Sequence, residues 1–311
     1  MRAFIFPGQG SQAVGMGKAL AEASTTAREV FQEVDHALEQ NLFQLMCDGP
    51  EDELTLTENA QPAIMANAIA TLRVMEKEGD QSLAKLCNYV AGHSLGEYTA
   101  LCAAGALNLT TTAELLKLRG QSMQKAVPVG EGGMAALLGA DIKKAAGLSK
   151  AAAQGEICTI ANDNDPTQVV ISGHMGAIER AVGLVKDHGI KRGLLLPVSA
   201  PFHCSLMQPA AEAMEEALAE ASILPPKVPV FANVTAEMVS DTDEIRQLLV
   251  EQVTGTVRWR ESVLNMSEAG VDEFVELGGK VLGGMVKRIN KEANNVSLTS
   301  MDDIEAFLAA L

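Results

Sequence analysis

Positive charge is scarce in this sequence: 24 Lys and Arg stand against 40 Asp and Glu in 311 residues, for a net charge of −16. That balance argues against non-specific binding of nucleic acid or of an anionic membrane surface, both of which need clustered cations. An acidic partner would have to find a local basic patch. Cys-x-x-Cys pairs are lacking too. The five cysteines (Cys47, Cys87, Cys102, Cys158 and Cys204) are odd in number and far apart, which speaks against a disulfide framework and fits free thiols in a reducing compartment. No apolar run approaches the roughly 20 residues of a membrane span, and Arg2-Ala3-Phe4-Ile5-Phe6 is too short for the core of a signal peptide. Internal repeats and low-complexity tracts are absent. A soluble, cytoplasmic protein is expected. What the chain does have is apolar mass, 47% of its residues, enough for one large domain or a large domain carrying a smaller one.

The chain is organised around Asn88 to Tyr98, a short apolar strand that runs into Gly92-His93-Ser94-Leu95-Gly96 and out into an Ala-rich helix. A Gly-x-Ser-x-Gly bend between strand and helix lifts its serine clear of the sheet, and the two glycines leave room for closely approaching backbones. Unpaired amides at the helix start favour negative charge, so the Leu95 N–H is a candidate donor to an oxyanion formed on a carbonyl attacked by Ser94. Ala3 to Phe6 reads as a buried strand, and Pro7-Gly8-Gln9-Gly10 as the loop at its C-terminal end, where open α/β sheets place their sites. The Gln9 N–H is the second candidate donor. A phosphate loop is excluded, because no Gly-Lys-Ser/Thr follows.

Gln61-Pro62 is expected to start a helix through Glu76, with Gln61 facing either the site or the helix cap. Residues 111–126 form a second helix whose apolar face holds Leu115, Leu118, Met123 and, in its middle, Arg119. An arginine there snorkels, pairs with a buried acid or awaits a ligand anion. From Gly130 the pattern becomes strand, helix, strand, a turn at 162–166, strand, helix, and a strand over 191–198. This βαββαβ order suggests a ferredoxin-like module inserted in a larger α/β domain. The chain returns at Ser199-Ala200-Pro201-Phe202-His203, close to a helix start whose field disfavours an imidazolium and keeps the ring a base. His203 is the best of five histidines to partner Ser94. His36, His174 and His188 lie in ordinary contexts, and His93 shapes the pocket beside the serine. Phe274 to Leu277 reads as the last strand of the large sheet.

These residues carry a resemblance. Phe6-Pro7-Gly8-Gln9-Gly10-Ser11-Gln12, Gly92 to Glu97, Arg119-Gly120-Gln121, Gln168 to Gly173 and Phe202-His203 look like the malonyl-CoA:acyl carrier protein transacylases of fatty-acid and polyketide synthesis, in order and over nearly the whole chain. The resemblance implies an α/β-hydrolase-like large domain with a parallel sheet (residues 1–128 and 199–311) and an inserted ferredoxin-like domain (129–198). It implies Ser94 as nucleophile, His203 as its base, the amides of Gln9 and Leu95 as oxyanion hole, and Arg119 as clamp for the malonyl carboxylate. Gln252 matches the position whose backbone carbonyl orients the histidine, and Asn162 a supporting residue. The order of a hydrolase triad would nominate Asp163 or Asp165 instead. Phe202 resembles the bulky residue that selects malonyl over methylmalonyl, and Gly278-Gly279-Lys280 stands where the family usually has Gly-Pro-Gly. The implied substrates are malonyl-CoA and an acidic acyl carrier protein that brings its own phosphopantetheine; no metal or cofactor is implied. Lys191-Arg192, Arg258-Arg260 and Lys287-Arg288-Lys291 are candidate docking cations. A serine hydrolase acting on carrier thioesters and a non-catalytic docking module are the competing readings.

Overall fold

Ten strands form in the computed structural model, which describes all 311 residues: β1 (Arg2–Phe6), β2 (Tyr89–Gly92), β3 (Gly132–Leu138), β4 (Cys158–Asp165), β5 (Gln168–His174), β6 (Arg192–Leu195), β7 (Val230–Phe231), β8 (Met238–Val239), β9 (Glu273–Leu277) and β10 (Asn294–Leu298). Six of them make one sheet in the order β10-β9-β1-β2-β7-β8, parallel except for the edge pair β7-β8. The other four make an antiparallel sheet in the order β4-β5-β3-β6. The architecture is mixed α/β with two sheets.

A parallel strand covered on both faces reads as an unbroken apolar run, and β1 shows why. Ala3, Phe4, Ile5 and Phe6 are all fully buried. Their alternation sends Phe4 and Phe6 into the main core, and Ala3 and Ile5 into a second core around Trp259 and Phe274. Each such aromatic contributes about 1.5–3 kcal/mol by leaving water. The antiparallel sheet uses the same alternation differently. Ala135 and Leu137 of β3 pack with Val169 and Ile171 under the helices Ile142–Ala153 and Met175–Leu184, whereas Met134, Ala136 and Val170 join the main core. Its second face is therefore sealed against the rest of the molecule.

Four features differ from expectation. The stretch 162–166, expected as a turn from its Asn and Asp residues, continues β4 to Asp165 through two register irregularities. Asp163, Asn164 and Asp165 are buried and each has a side-chain partner, which removes the usual penalty for Asn and Asp in a covered strand. The helix expected from Gln61 begins at Thr57, so Pro62 lies inside it. Close packing supports the added turn: a Cβ on Gly120 of the helix Leu109–Ala126 would lie 2.5 Å from Glu58 Cα. The strand β6 stops at Leu195, leaving Leu196 to Val198 free to line a cavity. Finally, β9 is not the last strand, because β10 pairs outside it at the sheet edge.

Candidate active site

β2 ends at Gly92, and the chain reverses at Ser94 into the helix Leu95–Ala103. Ser94 has φ 55° and ψ −113°, a strained conformation for a residue with a side chain. Surrounding contacts hold it there. The Ser94 N–H donates to Asn233 Oδ1 at 2.7 Å, and Asn233 Nδ2 donates to the Gly92 carbonyl at 2.7 Å. No side chain fits at the two glycines: a Cβ on Gly92 would lie 1.8 Å from the Gly96 oxygen, and one on Gly96 would lie 2.3 Å from the Phe6 oxygen. The bend thus stacks directly over the end of β1.

Ser94 Oγ lies 2.8 Å from His203 Nε2, and His203 Nδ1 lies 2.9 Å from the Gln252 carbonyl. A carbonyl can only accept, so Nδ1 carries the proton and the Nε2 lone pair faces the serine hydroxyl. His203 is 4% exposed and has φ 59°. Its pKa is pushed down to about 3, first by burial and then by the Arg119 charge. This corrects the expected cause, since the ring precedes only a 3-10 turn at Ser205–Met207. The imidazole is neutral at physiological pH and ready to take a proton.

Arg119 is the third group on the serine. Its Nη2 donates to Ser94 Oγ at 3.2 Å and to Gln252 Oε1 at 2.9 Å, while Nη1 donates to Gln61 Oε1 at 2.7 Å. Gln61 therefore faces the site rather than the helix cap, and its Nε2 donates in turn to Thr57 Oγ1 at 3.0 Å. The guanidinium is 1% exposed, lies 5.7 Å from the Tyr98 ring centroid, and leaves Nε without a partner. A buried, fully charged fork with an unused N–H, aimed at a serine hydroxyl, suits an anionic acyl group.

These groups open on a cavity of about 290 Å³ also lined by Gln9, Leu95, Asn162, His93 and Phe202. The Gln9 side chain accepts from Thr57 Oγ1 at 2.9 Å, and Leu95, as first residue of its helix, has no helical partner for its N–H. His93 turns its Nε2 to Asn164 Oδ1 at 2.8 Å, and burial lowers its pKa. The alternative acids lie elsewhere: Asp163 holds Arg260 through two bonds of 3.1 and 2.9 Å, and Asp165 holds Arg288 at 2.8 Å. A larger hollow of about 380 Å³ borders Glu33, Arg73, Cys102 and Lys227, but its one thiol is pushed up to about 11 by burial, out of nucleophilic range.

Sequence reasoning missed three residues that hold this site: Asn233, Asn164 and Glu97. Asn164 lies in β4 and Asn233 in the turn two residues past β7, and neither leaves a mark in a linear pattern. Glu97 did leave one, as the only charged residue of an otherwise uncharged helix.

A model of the acyl transferase domain matches residues 3–296. The malonyl CoA-acyl carrier protein transacylase of Bacillus subtilis is 42% identical over 311 residues, spanning 99% of this chain and 96% of that protein. The crystal structure of an acyl-carrier-protein S-malonyltransferase from Bartonella henselae superposes with a TM-score of 0.97 at 51% identity, over 99% of this chain and 98% of that one. A malonyl-transacylase in complex with its type II polyketide acyl-carrier protein superposes at 0.96 with 38% identity, over 100% of this chain and 99% of that one.

Proposed function

The chain belongs to the acyl transferase family, among the malonyl CoA-acyl carrier protein transacylases, and from that premise we propose that it passes a malonyl group from malonyl-CoA to a carrier protein through an ester on Ser94. One observation carries the reading: a single hydroxyl touches both a neutral imidazole and a buried guanidinium. The first is what a nucleophile needs, and the second is what a free carboxylate on the acyl group needs.

Ser94 Oγ attacks the thioester carbonyl while its proton moves to His203 Nε2. The amides of Gln9 and Leu95 receive the oxyanion. As the intermediate collapses, the C–S bond breaks and His203 returns the proton to the CoA sulfur. In the second half the phosphopantetheine thiol gives its proton to His203, attacks the ester carbon and releases Ser94 with that proton on Oγ. The Gln252 carbonyl stabilises the transient imidazolium. Arg119 holds the far carboxylate, steadied by Gln61 and Gln252, and this fixes the acyl group in one pose. Phe202 closes the acyl cavity and disfavours a branched chain, Asn162 supports the cavity wall, and the chemistry calls for no cofactor of the enzyme's own.

We read residues 129–198 as an inserted ferredoxin-like domain and the two flanking segments as a hydrolase-like body. The order β4-β5-β3-β6, with a helix after β3 and after β5, supports the first, and the serine bend after β2 supports the second. Five unpaired cysteines support a cytoplasmic setting, and no helix is long and apolar enough to cross a membrane. Among the candidate docking cations, Arg258, Arg260 and Arg288 are tied to Glu261, Asp163 and Asp165, which leaves Lys191, Arg192, Lys287 and Lys291 for an acidic carrier.

The test is intact mass after incubation with malonyl-CoA. One malonyl adduct is expected on the wild type and none on Ser94→Ala; an adduct on the variant would remove the mechanism. Release of malonate to water at the rate of transfer would favour a hydrolase, a class in which a buried arginine has no evident use.

A further inference from the structure

Glu97 takes no part in the transfer just described, yet it holds Gln252, which contacts Ser94, Arg119 and His203. It is 2% exposed. Its Oε2 accepts from Gln252 Nε2 at 2.7 Å and from the Asn233 N–H at 3.0 Å. Gln252 carries that contact forward in three directions. Its Oε1 meets Arg119 Nη2 at 2.9 Å, its Nε2 also reaches the Ser94 carbonyl at 3.0 Å, and its own carbonyl takes the His203 Nδ1 proton at 2.9 Å.

A side-chain amide has two ends of opposite polarity and nearly the same shape. Turned one way, Gln252 offers Arg119 an acceptor; turned the other, it sets an NH₂ against a guanidinium that can only donate. Arg119 alone cannot enforce the choice, because it also has Gln61 and Ser94 as partners. The Ser94 carbonyl and an ionised Glu97 can only accept, so both draw the NH₂ end, the charged Glu97 the more strongly and at the shorter distance, and the carbonyl end goes to Arg119. We propose that Glu97 is the positioning residue of this site: by fixing which way the Gln252 amide points, it aims the Arg119 guanidinium and so sets the preference for an acyl group bearing a carboxylate. The proposal rests on the reading that Ser94 takes up malonyl and Arg119 its carboxylate.

The charged and titratable groups around Glu97 are Arg119 from the helix Leu109–Ala126, Tyr98 beside it in its own helix, and His203 and His93 across the serine. The helix Thr242–Thr254 contributes the uncharged Gln252. Burial pushes Glu97 up to about 7, and pushes Tyr98 up and out of range, while His203 stays near 3. Glu97 is then the group whose charge changes near neutrality. The Asn233 N–H and Gln252 Nε2 both bond Oε2, so a proton taken up by Glu97 goes to Oε1; Oε2 then accepts only as a neutral carbonyl oxygen, and its hold on the Gln252 amide weakens.

The experiment compares acylation rates of Ser94 by malonyl-CoA and by acetyl-CoA, which lacks the carboxylate, from pH 5.5 to 8.5. In the wild type the malonyl-to-acetyl ratio is expected to rise through about pH 7. Glu97→Gln keeps the shape but can donate as well as accept. Its ratio is expected to fall about tenfold at pH 8, the worth of one net hydrogen bond, and to lose its pH step. Gln252→Ala keeps the backbone carbonyl that holds His203, and should lower the ratio by a similar factor; adding Glu97→Gln to it should lower the ratio no further. An unchanged ratio in Glu97→Gln, equal slowing of both substrates, or full additivity with Gln252→Ala would overturn the proposal. Should Glu97→Gln not fold, a wild-type ratio that is flat across pH 7 overturns it as well. The underlying reading fails in a different way, by giving no malonyl adduct on the wild type at any pH.

Discussion

Ser94 is held at a backbone conformation that serine resists, because four neighbours determine it together: two glycines that admit no side chain, the Asn233 amide that bonds both sides of the bend, and the Gln252 amide beneath the Ser94 carbonyl. Strain of this kind keeps the hydroxyl clear of its own helix and within reach of two different partners. Arg119 shows the same over-determination. Its planar fork reaches Gln61, Gln252 and Ser94 from one buried position, and a lysine ammonium could satisfy only part of that set. Arg119→Lys should therefore slow acylation by malonyl-CoA about 100-fold, the usual consequence of a misplaced acyl group, while acylation by acetyl-CoA changes little. Single-turnover rates for the two thioesters decide it, and equal losses would show that the guanidinium does not hold the carboxylate.

Among the elements, β4 deserves its unusual composition. Its last four residues alternate in use: Asp163 and Asp165 reach the helices Trp259–Glu268 and Leu282–Ile289 through Arg260 and Arg288, while Asn162 lines the cavity and Asn164 holds His93. One strand end thus ties the antiparallel sheet to the body that carries the serine. The Val257 backbone joins in, with Val257 N–H donating to the Ala161 carbonyl and Asp163 N–H donating to the Val257 carbonyl. Both aspartates are fully buried, but Arg260 and Arg288 are partly exposed, so the pairs are worth less than wholly buried ones. Asp163→Ala should cost about 1–3 kcal/mol in urea unfolding, by leaving Arg260 without its two bonds. It should also slow adduct formation, because Asn164 and His93 lean on the same strand end.

For the whole molecule, two buried groups at the site pull stability in opposite directions as pH changes. His203 has a folded pKa of about 3 against an ordinary 6.5, so the unfolded chain takes up the proton first and stability falls as pH drops from 6.5 toward 3. Glu97 has a folded pKa of about 7 against an ordinary 4.5, so the folded chain holds its proton longer and stability falls as pH rises from 4.5 to 7. Each effect has a limiting slope of about 1.4 kcal/mol per pH unit. His203→Gln should thus raise the melting temperature relative to wild type by an amount that grows on acidification below pH 6.5, and Glu97→Gln by an amount that grows between pH 4.5 and 7. Melting scans of the three proteins across this range test both signs.

The β1 run, the serine bend and the arginine on an apolar helix face were legible in the linear pattern, because each depends on near neighbours: alternation within a strand, glycines two residues either side of a serine, an arginine at apolar helical spacing. The use of that arginine was implied only by the family resemblance. The turn wrongly expected at 162–166 shows the limit. Asn and Asp favour turns when water is their only partner, and β4 keeps them in a strand because Arg260, Arg288, Val257 and His93 come from far along the chain to meet them. The sequence alone determined which side chains could do the chemistry. Only the tertiary structure decided which end of each polar group faces its neighbour, since hydrogen-bond direction among Glu97, Gln252, Arg119 and His203 exists only once three distant segments are each brought within 3 Å of Gln252.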